Sequence, residues 1–421
     1  MRRELLAGLS TFFTIAYYFL LFPKILSEGG IDFGAALTGT IVTLVLSTLF
    51  LAFYANFPAV LAPGIAVGAY LIYSVILPQH ATWQQALGLV FWSGLAIFLL
   101  SLFKVRQKIL LHLPPSLAAA AIGGIGLFLI CVGLKDLSIL IPDPVLFYRF
   151  GPLVTLPNGI ALFGLILFFL LHYFRISSAF LVSILASWAA ALAFGLAPWK
   201  GFAAPPPSPL PSLLQLDLLG SLHPSLWGIL VSVILISLFD STASLTALAK
   251  LAHATDEKGR IKNIDRIVIP DGVGTMLSAC FGATNLSFFL ESSSGIKAGG
   301  RTGATASVAA LCSLVCLFLY PLVSSIPLFA STPALIAIGV FMARISKEIA
   351  WRDWTEAIPA LLTLLTIPLT FSIYKGFAFG FIAYIFLKTL SGRWKQIHWI
   401  SWILGLIFFS HLCWSLATGH F

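Results

Sequence analysis

Between Phe33 and Ala55 the chain runs FGAALTGTIVTLVLSTLFLAFYA, twenty-three residues without one charged side chain. A helix of that length reaches across the ~30 Å hydrocarbon core of a bilayer. Runs of this kind recur along the chain. We place fourteen, at 5–22, 33–55, 64–77, 85–103, 116–134, 157–172, 178–197, 225–249, 266–282, 292–301, 304–322, 332–345, 357–373 and 376–391. In hydrocarbon each backbone polar group must find its partner inside the protein, so the expectation is an all-α bundle of spanning helices. Composition agrees: 59% of residues are hydrophobic and 9% charged, with a mean hydropathy of +1.01. The longest polar-looking linker, residues 198–224, is short and proline-rich, which leaves no soluble domain. MRRE leads straight into a span, so no cleavable signal is expected. HWISWILGLIFFSHLCWSL, residues 398–416, is long enough to cross but rich in Trp, so it either spans or lies in the interface.

The net charge of +9 sorts by topology rather than pointing to nucleic acid. With the N-terminus cytoplasmic, only Lys24, Lys135, Arg149, Lys200 and Lys375 fall outside. The other nineteen of the twenty-four basic residues, Arg106, Lys108 and Lys258 among them, fall inside. Five cysteines, mostly in apolar runs, imply no disulfide framework. Cys312 and Cys316 lie one helical turn apart with no His or carboxylate near them in sequence, so they read as packing thiols and not as a metal pair. His112 and His253 read as interfacial. There is no Walker A sequence, which argues against a primary pump, and no cofactor or metal is expected.

Seven spans precede the proline-rich linker and seven follow it. An odd number puts the second half upside down, the arrangement of inverted-repeat transporters. The fifth span of each half carries a faint echo, PPSLAAAAIGGIGLFL (114–129) against STPALIAIGVFMARI (331–345). The third spans echo more strongly. NFPAVLAPGIAVGAYL (56–71) is broken by Pro58 and Pro63, and GATNLSFFLESSSGIKAGG (282–300) changes from an extended-looking run to small residues after Leu290. Each reads as a strand-like entry to the midplane followed by a half-helix. Broken backbone at that depth is tolerated where it lines a cavity. Interrupted spans at matching places in two halves point to a transporter's binding site. The half-helix starts near Pro63–Gly64 and Glu291–Ser292 would aim free N–H groups at a common point.

Carboxylates deep in spans are rare and usually functional. Glu291 sits at the second break, and Asp240 lies mid-span in SVILISLFDSTASLTALAK. Ser237, Asp240, Ser241 and Ser244 share one helical face and read as a cavity wall. The bland reading, acids that only tie helices together, is weaker for Glu291, which coincides with a helix break. Asp271, about one turn into the ninth span, is explained by the cytoplasmic interface, and Lys297 and Arg301 by surface anchoring. Two midplane acids suit a neutral flat ligand with several N–H donors. Either acid could also cycle a proton as the site opens.

At these residues the sequence resembles a known family. LLAGLSTFFTIAYYFLLFPKILSEGGIDFGAAL, NFPAVLAPGIAVGAY, LFDSTASL, FLESSSGIKAGGRTG and TEAIPALLTLLTIPLTFSIYKGFAFGFIAYIFLK are similar to the AzgA-like adenine/guanine/hypoxanthine permeases. Those form a branch of the nucleobase–cation symporter superfamily, which also holds the xanthine and uracil permeases. The likeness runs from about residue 3 to residue 392. It implies fourteen spans in two inverted repeats of seven. A core domain would comprise residues 1–110 and 225–325, a gate domain residues 111–224 and 326–395, and residues 396–421 a further interfacial or membrane helix. It also implies a nucleobase between the half-helices and proton symport, with Glu291 on the base and Asp240 matching the acid of span eight. The chain departs from the family at Gly68 and Phe22, where asparagines are usual, at Gly282-Ala283-Thr284-Asn285, and after Asp240, where a glycine is missing.

The expected function is therefore proton-coupled purine nucleobase transport by alternating access, in a bacterial-type cytoplasmic membrane. Substrate would meet Glu291, Asp240, Ala62, Gly64, Gly68, Ser292, Ser293 and Ser244, with Asp240 and Glu291 coupling the proton and no catalytic residue. Partners are the nucleobase, protons and the bilayer, and the resemblance allows a homodimer through the gate domain. A transporter of another small polar or anionic solute on this scaffold is the alternative. An intramembrane enzyme is more distant, because neither acid sits in a G-x-G-D context and there is no H-E-x-x-H.

Overall fold

The computed structural model describes residues 1–79, 81–106, 114–143, 147–256 and 260–418; Lys108, His112 and Lys258 lie outside the described residues. The first half comprises α1 (Arg2–Ile15) and α2 (Tyr18–Glu28), which together make the first span, then α3 (Phe33–Ala55), β1 (Leu61–Pro63), α4 (Ile65–Ile76), α5 (Trp83–Leu102), α6 (Pro115–Asp136), a hairpin of β2 (Leu140–Asp143) and β3 (Phe147–Phe150), α7 (Leu156–Tyr173) and α8 (Ala179–Ala193). The second half comprises α9 (Trp227–Leu251), α10 (Ile264–Cys280), β4 (Leu286–Phe288), α11 (Ser293–Lys297), α12 (Gly303–Phe318), α13 (Leu328–Ala343), α14 (Trp354–Thr370) and α15 (Ile373–Leu390), followed by α16 (Trp399–Thr418). Among the described residues, eight helical segments are long and apolar enough to cross a membrane, and shorter apolar helices accompany them.

Local chemistry sets the boundaries. Asp32 caps α3 by accepting from the Ala35 N–H at 2.8 Å, and Asn56 ends that helix in the left-handed conformation at φ 50°. Thr82 and Gln85 form a reciprocal capping box that starts α5.

The two strands at the breaks pair antiparallel, Leu61 with Phe288, Ala62 with Ser287 and Pro63 with Leu286. Two inverted halves dictate that direction. Bonds from Gly64 N–H to the Asn285 carbonyl (2.7 Å) and from Phe289 N–H to the Val60 carbonyl (3.0 Å) extend the ladder. Strands this deep need partners on their outer edges too. The second span of each half supplies one: Thr48 Oγ1 accepts from Leu61 N–H and Thr275 Oγ1 from Leu286 N–H, both at 3.0 Å.

The helices gather in two packed groups. In one, α10 packs on α5 and α3, α12 on α1 and α3, and α9 on α5; in the other, α6 packs on α13 and α14, α14 on α15, and α7 on α8 and α13. The fifth spans of the two halves meet backbone to backbone. A Cβ on Gly126 would lie 2.5 Å from the Gly339 carbonyl, and one on Gly339 would lie 2.6 Å from that of Gly126. Both glycines belong to the sequence echo of the fifth spans.

The C-terminal helix α16 packs antiparallel along α15. Gly405 meets Ile385, Phe408 stacks on Phe381 and Phe377, and His411 hydrogen-bonds the Tyr374 hydroxyl at 2.7 Å. Lys24, placed at the outer surface by the sequence, is buried and donates to the Ile326 carbonyl.

Candidate functional site

The first span is interrupted at Ala16–Tyr17, and the two tyrosines that follow reach the two breaks. Tyr18 donates its hydroxyl to the Pro63 carbonyl at 2.6 Å, which fixes the end of β1. Tyr17 donates to Glu291 Oε1 at 2.7 Å, at the turn between β4 and α11. Asp240 comes in from α9. Its Oδ2 faces Gly64, where an added Cβ would lie 3.8 Å away, and Ser287 of β4 stands beside it.

These groups border a cavity of about 910 Å³. One wall carries Tyr17, Gly64, Asp240, Ser287, Phe289 and Glu291; the facing wall carries Phe180 of α8, Ala118 of α6 and Met342 of α13. The cavity thus lies between the two packed groups of helices. It extends to Lys250 and Glu348. The first N–H groups of α4 have no partner within the helix, and Ile65 and Ala66 both border the space. Among the described residues, neither Asp240 nor Glu291 takes part in an ion pair. No group of three or more His, Cys, Asp or Glu among them could hold a metal.

Of the residues expected to meet substrate, Glu291, Asp240, Gly64 and Ser244 border this space. The others stand behind it. Ala62 is paired with Ser287 inside the strand ladder. The Ser292 hydroxyl accepts from the Val60 N–H at 3.0 Å, so it fastens the first break to the second. Ser293 opens α11 and does not border the cavity. Gly68 faces Phe22 rather than the cavity: a Cβ there would come within 2.6 Å of the Phe22 ring. The two departures Gly68 and Phe22 are thus one packing solution, with an aromatic ring filling the room left by a missing side chain.

The serine stripe on α9 divides. Ser244 keeps to the cavity beside Asp240, whereas Ser241 turns away and donates to Asp271 Oδ2 at 2.5 Å. Arg106, expected in a solvated cytoplasmic loop, is 2% exposed, and its Nη1 lies 2.7 Å from the same Asp271 oxygen. Its Nη2 donates to Ser241 at 2.8 Å. Asp271, explained from sequence by the interface, is 0% exposed. The physical reason is mutual: an arginine and a carboxylate drawn out of water must find each other. Lys104, paired with Asp265 at 2.9 Å, holds the same stretch of chain against α10.

Tyr17, Ser287, Phe289 and Phe180 were not read from the sequence. No proline or glycine marks the break at Ala16–Tyr17, and Phe180 is one of thirty-six phenylalanines. The signal that was available is the pair Tyr17–Tyr18, two adjacent phenols in a span whose other polar residues are Ser10, Thr11 and Thr14.

Residues 2–379 match the Permease family (Xan_ur_permease). A permease of Methanocaldococcus jannaschii is 39% identical over 409 residues, covering 97% of this chain and 94% of that protein. The adenine permease AdeP of Escherichia coli K12 is 32% identical over 407 residues, 97% of this chain and 92% of its own. The guanine/hypoxanthine permease PbuO of Bacillus subtilis 168 is 32% identical over 420 residues, 98% and 97%. Among solved structures, the transmembrane domain of the cyanobacterial bicarbonate transporter BicA superposes with a TM-score of 0.67 over 91% of this chain and 97% of that one. At 16% identity the likeness is one of fold, and that fold is the inverted repeat.

Proposed function

The chain belongs to the Permease family, and on that premise we propose that it is a secondary transporter carrying a purine nucleobase across the membrane together with a proton. The observation that carries this reading is Glu291. It stands at a helix break, opens onto a cavity between aromatic rings, and has a hydroxyl, not a cation, for its partner. A carboxylate so placed accepts an N–H from a flat heterocycle, and a charge-assisted bond of that kind is strong where water is scarce. The names of the adenine and guanine/hypoxanthine permeases among its relatives support a purine.

In this reading Asp240 carries the coupling proton beside the base, and the N–H groups that begin α4 bind from the opposite break. The packed group of α1–α5 and α9–α12 is the core and the group of α6–α8 and α13–α15 the gate, and alternating access is motion of one against the other. In this reading the cavity, which reaches Lys250 and Glu348, opens toward the side on which the sequence places most of the basic residues. Uptake of labelled adenine, guanine and hypoxanthine into proteoliposomes tests the proposal. Saturable uptake that rises with an inward proton gradient is expected. Folded protein that takes up none of the three overturns it.

A further inference from the structure

We infer that Tyr17 is a specificity-determining residue, because it fixes how many hydrogen-bond donors a ligand can present to Glu291. The inference rests on reading the cavity as a nucleobase site. An ionised carboxylate offers two oxygens with roughly four acceptor positions. Inside the protein Oε1 already takes the Tyr17 hydroxyl at 2.7 Å.

The hydroxyl is not free to leave. Tyr17 is 1% exposed, and its ring stacks on Phe180 at 4.5 Å and 25°. The next residue, Tyr18, is tied to the Pro63 carbonyl and lies edge-on to Phe289 at 5.0 Å. Break, stack and neighbour hold the phenol in one place. The ligand therefore meets a carboxylate whose Oε1 it must share with the phenol.

A two-pronged bond needs both carboxylate oxygens along one edge, facing two parallel N–H groups. Guanine presents such a pair, its ring N–H and the adjoining amino group. Hypoxanthine presents the same ring N–H without the amino group. While Tyr17 holds one acceptor position of Oε1, the second prong of guanine must share that oxygen with the phenol and gains little. The site accordingly treats the two bases alike.

The test is binding of guanine and hypoxanthine to the purified full-length protein by calorimetry, for wild type and Tyr17→Phe. The substitution keeps the ring on Phe180 and removes only the donor. In wild type the two dissociation constants should agree within about threefold. In Tyr17→Phe the ratio should move about tenfold toward guanine, the effect of one added charge-assisted bond. A wild type that already prefers guanine tenfold overturns the inference without any variant, so it stays exposed even if Tyr17→Phe fails to fold. A variant that shifts both bases by the same factor overturns it as well, and shows Tyr17 to be packing alone. If folded wild type binds adenine but neither of these bases, the inference falls and the nucleobase reading stands; if it binds none of the three, the nucleobase reading itself falls, which is a separate result.

Discussion

Two sets of carboxylates lie almost side by side on α9 and its neighbours, and they differ in their company. Asp240 and Glu291 face a cavity and are bordered by Ser287 and Tyr17. Asp271, reached through Ser241 one residue along the helix from Asp240, is sealed against Arg106. An acid deep in a span is costly in either setting. Where an arginine offsets it inside the protein, the pair is scaffold. Where hydroxyls meet it and space remains in front, the partner we propose is a ligand or a proton. Asp271 is sealed and the cavity pair is half-buried, and the partners differ in the same sense, a cation for the first and hydroxyls for the second.

The largest effect that would break this contrast is on the scaffold side. Arg106→Ala leaves Asp271 buried without its cation, and losing one partner of such a pair costs about 3–5 kcal/mol. We expect a steep fall in the melting temperature of the detergent-solubilised protein, largely recovered in the double variant Arg106→Met, Asp271→Leu. If Arg106→Ala melts as wild type does, the pair is not structural and the distinction fails.

Glu291→Gln is the counterpart on the cavity side. It removes the charge and keeps the shape, so the melting temperature should hardly move. Affinity for the base should fall by the worth of one bond to a charged group, about 1.5–3 kcal/mol or at least tenfold in dissociation constant. Titration with the preferred purine reads this directly. A variant that binds as tightly as wild type would remove Glu291 from the site.

The span pattern, the inverted halves and both midplane breaks were legible in the sequence because each is written in continuous stretches of chain. Pro58 and Pro63 announce one break, and ESSS after an extended run announces the other. Glu291 and Asp240 were legible because a charge stands out in an apolar span. What could not be read were pairings across the sequence. Arg106 lies 165 positions from Asp271, and nothing local to it says that the chain folds back into the bundle. Tyr17 lies 274 positions from Glu291. Gly68 looked like a lost polar contact because the ring that replaces that contact comes from Phe22, in another span.

That last pair gives a third, smaller test, which separates packing from site within the first break. Gly68→Ala would drive a methyl to within 2.6 Å of the Phe22 ring. Overpacking of this kind costs about 1–3 kcal/mol and should be relieved by Phe22→Leu. At Gly64 the nearest atoms to an added Cβ lie at 3.6–3.8 Å, an ordinary contact, and φ is −74°. Gly64→Ala should therefore melt like wild type but bind the base more weakly, since the methyl stands beside Asp240 Oδ2. Equal melting temperatures for the two variants would mean that Gly68 is not filled space.

The smallest effect belongs to an acid that is neither sealed nor in the cavity. Asp353, ahead of α14, accepts from the Thr355 hydroxyl at 2.7 Å and backbone N–H at 3.0 Å, and pairs with Arg393 at 2.9 Å. The Thr355 hydroxyl, helped by the Lys388 and Arg393 charges, holds its pKa below the usual 3.8. A carboxylate with a lowered folded pKa contributes stability that is complete above its unfolded pKa and is lost as pH falls through the folded one. At neutral pH Asp353→Asn should lower the melting temperature by about 2 °C or less, as expected of a solvent-screened pair. The gap to wild type should close in a pH series taken below about 3.8 and stay constant from pH 5 to 8. A gap that widened on acidification would give Asp353 a raised pKa. It would then behave like an uncompensated buried acid, and the nature of the partner would no longer explain why these four acids differ.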